Sequence, residues 1–460
     1  MELYHYRSID SALSEISKGT FKFSGVPELN DPIEGYVDIY WQGDEPAWAG
    51  LFRNYIIGLY MSITIYRLAG DETQIARNAV PLNINAWGQR PIHDELIYVS
   101  EKFLNTDFVR NIIEQLSSLN LIVSGSQLNL ILRLVHEQAF YICGKRMIDT
   151  KLIEKDELAL VEPKIITAEM IKPLILSFLD DQLSLITNHA YQILRYTIEN
   201  ADLSILSRDD SNNTQRIKWN KIRLNFPELY VRRAKEIVFP PSYVVCFSTF
   251  PNNSVMWGNY ACNHKGVCLI YSAKNNGNDY CIPIQAGLMT TSMGQGINFT
   301  NEHVSPVEYT DNKIKRNFFE SLGGLTYEWI SSWLVSYNGI KSRFLNVYHD
   351  QNWRETYWND YLKAYFTKMT VWDYEQEYRL RITGAFFEDS ESFKFIPYSR
   401  ECLTGVIFGI NTSLEDKYRI LKTIKEAGYD LKGFDIRAAI YDETARKIEI
   451  IKRLPISLTI

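Results

Sequence analysis

The sequence has no apolar run long enough to cross a membrane. Its most apolar stretch, residues 54–66, is bounded by Arg53 and Arg67 and is well short of the ~20 residues that a membrane-spanning helix needs. The first residues lack the basic and apolar regions of a secretory signal peptide. The six cysteines include no Cys-x-x-Cys pair, and scattered cysteines are typical of reduced thiols. We therefore expect a soluble cytoplasmic protein with no membrane partner.

The chain also has little net charge and lacks several catalytic signatures. A formal charge of −6 over 460 residues gives no general attraction to nucleic acid or to anionic membranes. There is no Walker loop, no Gly-x-Gly-x-x-Gly and no Gly-x-Ser-x-Gly, which argues against P-loop, Rossmann and serine-hydrolase enzymes. A hydrophobic content of 46% with 13% aromatic residues predicts a folded chain with a substantial core.

Strand and helix patterns divide the chain into three parts. Residues 3–7 predict a strand, and Ile9, Leu13 and Ile16 share a helical face that ends at Gly19. From about residue 48 to 237, apolar residues recur at helical spacing, and strand patterns then return and end in a hairpin. The sequence predicts an α+β fold: a mixed, largely antiparallel sheet built from residues 1–47 and 238–460, interrupted by an α-helical insertion at residues 48–237.

A polar and aromatic segment lies between the strands predicted at residues 243–250 and 266–271. The segment contains Trp257, Tyr260 and His264, and the strand before it carries Ser248 and Thr249. Strands that present such a segment are a common way of building a binding pocket. We take these five residues as candidate binding residues.

Four motifs in order resemble the signature of a large bacterial family that is named only as a domain of unknown function. They are Leu-Tyr-His-Tyr-Arg-Ser at residues 3–8, Asn-Asp-Pro-Ile-Glu at 30–34, Met-Trp-x-x-Tyr-Ala-x-x-His-x-Gly from Met256, and Trp-x-Tyr-Glu-x-Glu-Tyr-Arg from Trp372. These motifs cover the two ends of the chain and not its middle. The family name carries no function.

A more distant resemblance adds a function. Arg7, the Ser248-Thr249 pair and the Glu375-x-Glu377 pair follow the order of the Arg, Ser-Thr-Ser and Glu-x-Glu triad of ADP-ribosyltransferases, which bind NAD in a cleft of a split β-sheet. Phe250 replaces the second serine of Ser-Thr-Ser. His5 would instead suit the related His-Tyr-Glu class, with Tyr260 as its tyrosine. The choice between Arg7 and His5 stays open.

This resemblance implies an ADP-ribosyltransferase-like fold and an enzyme for which NAD is a substrate. Glu377 would stabilise an oxocarbenium-like transition state, and Glu375 would orient or deprotonate an acceptor. Arg7 would bind the pyrophosphate, Ser248 the ribose, and Trp257 or Tyr260 would stack on a flat ring. The acceptor would be a protein or a nucleic acid, and the expected setting is a bacterial toxin or a phage-defence effector.

Three other interpretations remain open. The alternation of Glu375, Glu377, Arg379 and Arg381 is also typical of a solvated edge strand. A second possibility is a non-catalytic sensor module of a defence system whose helical insertion binds a protein partner. The third is a metal-dependent nuclease, because clustered carboxylates bind Mg²⁺. Its candidate ligands are Asp31, Glu34, Glu375 and Glu377, but no lysine stands in a recognisable nuclease motif beside them.

A zinc site at Cys262, His264 and Cys268 is disfavoured. These residues lack the paired ligand spacing of structural zinc sites. In the ADP-ribosyltransferase interpretation we expect no metal.

Overall fold

The computed structural model of the protein describes residues 1–31, 34–35, 37–69, 79–82, 92–155, 160–163, 167–206, 214–277, 279–285, 290–291, 294–295, 299–336, 338–384 and 391–452. The chain forms two compact units. Unit 1 contains Met1–Tyr36, Pro240–Lys313 and Tyr361–Ile460, and unit 2 contains Val37–Phe239 and Ile314–Asp360.

The strands are β1 (Glu2–Arg7), β2 (Thr20–Lys22), β3 (Ser24–Gly25), β4 (Asp38–Tyr40), β5 (Ser242–Ser248), β6 (Val267–Ser272), β7 (Lys274–Asn276), β8 (Asp279–Ile284), β9 (Thr290–Thr291), β10 (Gly294–Gln295), β11 (Thr300–Pro306), β12 (Glu308–Tyr309), β13 (Lys315–Asn317), β14 (Thr367–Lys368), β15 (Glu377–Thr383), β16 (Phe395–Pro397), β17 (Leu403–Phe408), β18 (Asp435–Asp442) and β19 (Lys447–Lys452).

The α-helices are α1 (Ile9–Lys18), α2 (Glu45–Ala69), α3 (Ile92–Leu104), α4 (Asp107–Ser118), α5 (Gly125–Asp149), α6 (Ala168–Leu176), α7 (Asp181–Leu206), α8 (Thr214–Glu236), α9 (Ser254–Tyr260), α10 (Tyr327–Leu334), α11 (Gln351–Phe366) and α12 (Leu414–Glu426).

Unit 1 is organised around one large sheet. Its strand order is β19-β18-β17-β6-β1-β5-β15-β11-β8-β7, and β3 pairs with β5 as well. All of these pairings are antiparallel except that of β17 with β18. Because β1 lies between β5 and β6, the first strand joins strands from the second half of the chain. The structure therefore confirms an α+β fold with a mixed, mostly antiparallel sheet.

Helix α1 shows why the first part of the chain folds as its sequence pattern predicts. The Ser8 side chain accepts a hydrogen bond from the Ser11 N–H and caps the start of the helix. Gly19 ends it in the left-handed conformation, with φ 64°. Ala12 and Ile16 are fully buried in the sheet's larger core cluster. The helix therefore packs its apolar face against the sheet beside β1.

Unit 2 is largely helical, and it is larger than the predicted insertion. The insertion was expected at residues 48–237, but unit 2 runs from Val37 to Phe239 and also contains residues 314–360. Strand β13 pairs in parallel with β4, and Phe318 stacks on Trp41 with ring centroids 5.6 Å apart. Aromatic packing therefore places this later segment with the helical residues. None of the helices in the described part of the chain is long and apolar enough to span a membrane.

The contact between β1 and β6 depends on a glycine. A Cβ at Gly266 would lie 2.2 Å from the Arg7 carbonyl oxygen, whereas a Cβ at Gly258 in α9 would meet nothing within 4 Å. We expect Gly266→Ala to lower the free energy of unfolding by about 1–3 kcal/mol, because the strands must move apart. Gly258→Ala should raise it by ~0.5–1 kcal/mol, since alanine is the better helix former. Urea denaturation measures both, and equal stability of the two variants would contradict this packing.

Candidate functional site

The large sheet opens between β1 and β5. These strands are fully described, yet they pair only at Tyr4 and Ser248. On the same edge, β5 pairs with β3 at Val244 and Tyr243. Residues 245–247 of β5 therefore border a gap, and a cavity of about 310 Å³ lies there. The opening of the sheet creates the cavity.

Six of the nine candidate residues line this cavity. They are His5, Arg7, Ser248, Tyr260, Glu375 and Glu377. Because Tyr4, Ser248 and Glu377 are directly paired across the sheet, their side chains leave it on one face. His5 and Arg7 alternate with Tyr4 and leave on the opposite face. The gap between the strands lets both faces contribute to one cavity.

Arg7 and His5 both bind a buried glutamate that sequence reasoning missed. Arg7 Nε and Nη2 each lie 2.8 Å from Glu15 Oε2, and His5 Nδ1 lies 3.1 Å from Glu15 Oε1. The Tyr271 hydroxyl donates to the same Oε1 atom at 2.6 Å. The sequence does contain an indication that Glu15 is buried: it lies on the apolar face of α1, beside Ala12 and Ile16. Arg7 and His5 therefore share one carboxylate partner.

The charges around Glu15 fix the protonation states of this group. Burial alone would raise the pKa of Glu15, but the adjacent His5 and Arg7 and the hydrogen bonds from His5 and Tyr271 lower it to about 2. Burial, and then the charge of Arg7, lowers the pKa of His5. His5 is therefore neutral at neutral pH. Its Nδ1 donates to the carboxylate, which leaves Nε2 as the acceptor.

On the other side of the gap, Lys368 lies among three glutamates. Its Nζ is 2.6 Å from Glu375 Oε2, 3.3 Å from Glu377 Oε2 and 3.5 Å from Glu34 Oε2. All four residues are buried and line the cavity. We call these four residues, together with Arg379, the Lys368 cluster.

Arg379 binds the Glu377 carboxylate through two hydrogen bonds. Its Nε and Nη2 donate to the two oxygens of Glu377 at 2.8 and 3.0 Å, and its Nη1 donates to the Tyr365 carbonyl at 2.6 Å. Nη2 also contacts Glu34. Burial lowers the pKa of Arg379 to about 9, while the charge of Asp31 acts in the opposite direction. The guanidinium therefore keeps its charge at neutral pH and fixes the orientation of the Glu377 carboxylate through a bidentate ion pair.

The backbone around Gln376 brings the two glutamates to the same lysine. Glu375 ends a 3₁₀ helix, Thr370–Glu375, Gln376 is left-handed with φ 43°, and Glu377 begins β15. The Glu377 N–H donates to the Tyr309 hydroxyl at 2.8 Å. The alternation that begins at Glu375 in the sequence therefore belongs to a strand only from Glu377 onward. A left-handed residue, and not strand alternation, places both carboxylates on Lys368.

The edge-strand interpretation is also wrong. Strand β15 lies inside the sheet, between β5 and β11. Glu377 and Arg379 are 4% and 1% exposed. Their alternation therefore reflects a buried ion pair and not a solvated strand.

Tyr260 links the aromatic segment to the Lys368 cluster. Its hydroxyl donates to Glu375 Oε1 at 2.6 Å and accepts from the Asn30 amide. Burial, followed by the hydrogen bond and charge of Glu375, raises the pKa of Tyr260. It therefore remains a neutral donor at physiological pH.

Thr249, Trp257 and His264 do not line the cavity. The Trp257 ring is fully buried, and its Nε1 donates to the Pro251 carbonyl at 2.7 Å. His264 closes a turn of three left-handed residues with φ from 49° to 67°. The Thr249 N–H donates to the Gln376 carbonyl at 3.2 Å. Aromatic and polar residues of this kind support a structural turn as readily as a pocket.

The Lys368 cluster carries excess negative charge. Together with Asp31 it contains four carboxylates against two cations. Burial raises the pKa of Glu377 to about 7, and Glu375 raises it too, whereas the charge of Lys368 and a hydrogen bond from Cys246 lower it. Burial alone would lower the pKa of Lys368, but the charges of Glu377 and Glu375 outweigh it and raise that pKa. Lys368 is therefore protonated, and Glu377 titrates near neutral pH.

The four carboxylates of the proposed nuclease site do lie together, but they surround cations. A lysine that stands in no recognisable nuclease motif also lies beside them in space: Lys368 contacts Glu34, Glu375 and Glu377. Among the described residues, no group of three or more His, Cys, Asp or Glu side chains has metal-binding geometry. A metal ion here would have to replace the lysine ammonium.

Residues 256–380 match one family model, DUF2971, described as a protein of unknown function. This match covers 125 of the 460 residues. It includes α9 from Met256 onward, Tyr260, Lys368, Glu375 and Glu377, but neither β1 nor Glu34. No curated protein and no solved structure matches the chain.

Removal of the lysine tests the Lys368 cluster. Lys368→Met should lower the free energy of unfolding by about 3–5 kcal/mol, because it leaves buried carboxylates without their cation. The loss should grow as pH rises from about 5 to 8, since the folded carboxylates then bind protons more tightly than the unfolded ones. Urea denaturation at several pH values measures this effect. Lys363→Met, at an exposed position of α11, is the control; equal stability of the two variants would contradict the cluster.

Proposed function

We propose that the protein is an NAD-dependent enzyme of the ADP-ribosyltransferase type, in which Glu377 stabilises the transition state. The observation that carries this proposal is the buried pair Glu375 and Glu377 on the wall of a cavity, where the sheet opens between β1 and β5. The resemblance of the motifs to that enzyme class supports the choice of substrate.

The acidic wall suits the chemistry of nicotinamide release. Cleavage of the bond between the ribose C1′ and the nicotinamide nitrogen builds positive charge on the sugar, and a fixed carboxylate stabilises that charge. NAD also brings a positively charged pyridinium ring. The excess of carboxylates in the Lys368 cluster attracts this ring, and Arg379 and Lys368 keep the Glu377 carboxylate from rotating.

The opposite wall carries two cations, each beside a carboxylate: Arg7 contacts Glu15, and Lys22 Nζ lies 3.5 Å from Glu28 Oε2. Arg7 and Lys22 both line the cavity, and the contacts of Arg7 to Glu15 use Nε and Nη2. We assign Arg7 Nη1 and the half-exposed Lys22 ammonium to the pyrophosphate. A cavity of about 310 Å³ is at the lower end of ligand pockets, which run from ~300 to ~1,000 Å³. It would hold the nicotinamide and its ribose, with the phosphates at the mouth.

Glu375 is a second carboxylate on the cavity wall, beside Glu377. Its Oε1 accepts from Tyr260 and its Oε2 from Lys368, both at 2.6 Å. We assign it to the acceptor, which it would orient and deprotonate. The acceptor is a protein or nucleic-acid group, and the proposed setting is a toxin or a phage-defence effector.

Replacement of one carboxylate oxygen tests the role of Glu377. Glu377→Gln keeps the shape of the side chain and removes its charge, so the rate of nicotinamide release should fall about 10²–10³-fold. The affinity for NAD should change much less, because the charge acts mainly in the transition state. Glu308→Gln, at an exposed position of β12, is the matched control and should keep the wild-type rate. Chromatography of released nicotinamide gives the rates, and thermal melting checks folding.

The same assay separates the other candidate functions. A wild-type protein that releases no nicotinamide, with or without protein and nucleic-acid acceptors, overturns the proposal and favours a binding module. Cleavage of nucleic acid that needs Mg²⁺ and no NAD would identify a nuclease. A folded Glu377→Gln protein with the wild-type rate would show that Glu377 is not the catalytic group.

The pH dependence gives an independent test. Because Glu377 must be ionised to stabilise positive charge and its pKa in the free protein is raised to about 7, kcat/KM for nicotinamide release should increase with pH up to about 7 and then level off. Glu377→Gln should lose this acidic limb from its residual activity. Steady-state rates between pH 5 and 9 measure both profiles. An acidic limb near pH 7 that survives in the variant would assign the titration to another group.

A further inference from the structure

Tyr260 connects an exposed side chain to the buried Glu375. Its hydroxyl donates to Glu375 Oε1 at 2.6 Å and accepts a hydrogen bond from the amide of Asn30, which is exposed. Tyr260 itself is half-buried, whereas Glu375 is only 3% exposed. All three residues line the cavity. A chain of two hydrogen bonds therefore leads from the solvent side of the cavity to the buried carboxylate.

Both oxygens of Glu375 already have a hydrogen-bond donor. Oε2 accepts from Lys368 and Oε1 from Tyr260, both at 2.6 Å. When the nicotinamide and its ribose fill the cavity, an acceptor has to approach from solvent. Asn30 and Tyr260 are more exposed than Glu375. An acceptor that arrives from solvent therefore reaches the Tyr260 hydroxyl before it reaches the carboxylate.

The hydrogen bonds of Tyr260 all point in the direction of proton transfer to Glu375. A phenolic hydroxyl donates one hydrogen bond and accepts others through its lone pairs. The proton of Tyr260 is donated to Glu375, and the Asn30 amide occupies one lone pair. Among the residues that the structure describes, no further donor contacts this oxygen. Its second lone pair is left for the hydroxyl of an acceptor.

Helix α9 fixes Tyr260 in place relative to Glu375. Asn253 caps the start of this helix, because its Oδ1 accepts from two backbone N–H groups of the first turn. The Asn253 amide also donates to the Tyr374 carbonyl at 2.7 Å, and Tyr374 directly precedes Glu375. The helix that carries the tyrosine is therefore bound to the segment that carries the glutamate.

We propose that Tyr260 is a catalytic residue that relays a proton from a hydroxyl acceptor to Glu375, an inference that rests on the proposed function. The acceptor oxygen bonds to the ribose C1′ as the bond from C1′ to the nicotinamide nitrogen breaks. The electron pair of the broken bond stays on that nitrogen. The acceptor proton passes to the Tyr260 oxygen, and the original Tyr260 proton passes to Glu375 Oε1. Tyr260 ends neutral and Glu375 ends protonated.

The two proton transfers occur together. Burial, followed by the hydrogen bond and charge of Glu375, raises the pKa of Tyr260, so a free tyrosinate does not form at neutral pH. The phenol can give its proton to Glu375 only as it receives another from the acceptor. The short contact with Glu375 and the separate acceptor position on the same oxygen meet this requirement.

Competition between methanol and azide tests the relay in the full chain. Methanol must lose a proton when it reacts at C1′, whereas the azide anion has none to lose. In Tyr260→Phe the ratio of methyl to azido product formed from NAD should fall about 10²-fold, because base assistance is lost for methanol alone. A purely structural change would lower both products together. Tyr418→Phe, at a 47% exposed tyrosine of α12, is the matched control and should keep the wild-type ratio.

Glu375→Gln should lower this ratio as much as Tyr260→Phe does. The double variant should fall no further, because both substitutions interrupt the same chain. In the wild type alone, the ratio should be lower in D2O than in H2O, since protons move only in the methanol reaction. Chromatography of the two ribosyl products gives every ratio, and thermal melting checks that the variants are folded.

The outcomes separate the relay from the proposed function. If the wild type releases nicotinamide, three results would each overturn the relay alone: an unchanged ratio in folded Tyr260→Phe, losses that multiply in the double variant, or equal ratios in the two solvents. A wild type that releases no nicotinamide overturns the proposed function and the relay with it.

Discussion

The contact of the Lys368 ammonium with three buried glutamates is the interaction on which the candidate site depends. It joins segments that are far apart in sequence: the turn at Glu34, strand β14, the end of a 3₁₀ helix at Glu375 and the start of β15 at Glu377. Burying an ion costs several kcal/mol, and only close partners offset this cost. The four segments are therefore held together because the charge of each buried side chain is neutralised by a side chain from another segment.

The second constraint is the incomplete pairing of β1 with β5. Strand β5 is paired along its other edge with β15 over its whole length, but the edge towards β1 is paired at Ser248 and then left open as far as β3. A continuous sheet would separate the charges around Glu15 on one face from the Lys368 cluster on the other. The gap lets side chains of both groups border one cavity.

Local patterns were sufficient to predict much of the sheet. Strand β1, helix α1 with its stop at Gly19, and the hairpin of β18 and β19 follow from alternation, helical spacing and turn residues. These signals are local, because each depends on residues a few positions apart. Residues 314–360 lie in the helical unit through contacts between segments distant in sequence, such as the stacking of Phe318 on Trp41, which local patterns do not show.

The site was predicted only in part, for a related reason. The motifs identified Glu375, Glu377 and Tyr260, but composition did not distinguish them from Trp257, which is buried, and His264, which closes a turn. The partners Glu15 and Arg379 were missed as site residues, since a charged residue in a helix or strand pattern is normally solvated. Only the tertiary structure shows that these charges are buried in pairs.

Stability alone does not explain the Lys368 cluster. Well-packed apolar residues are often as stabilising as a buried ion pair or more so, and this cluster is not even neutral, because its two cations face four carboxylates when Asp31 is included. Arg379 and Lys368 already hold Glu377 in a fixed position, so the remaining negative charge cannot be compensated by a small shift of these side chains. It can be compensated by a proton on Glu377, whose pKa is raised to about 7, or by a cation in the cavity. A positively charged ligand would displace that proton and leave the carboxylate ionised, which is the state that stabilisation of a ribosyl cation requires.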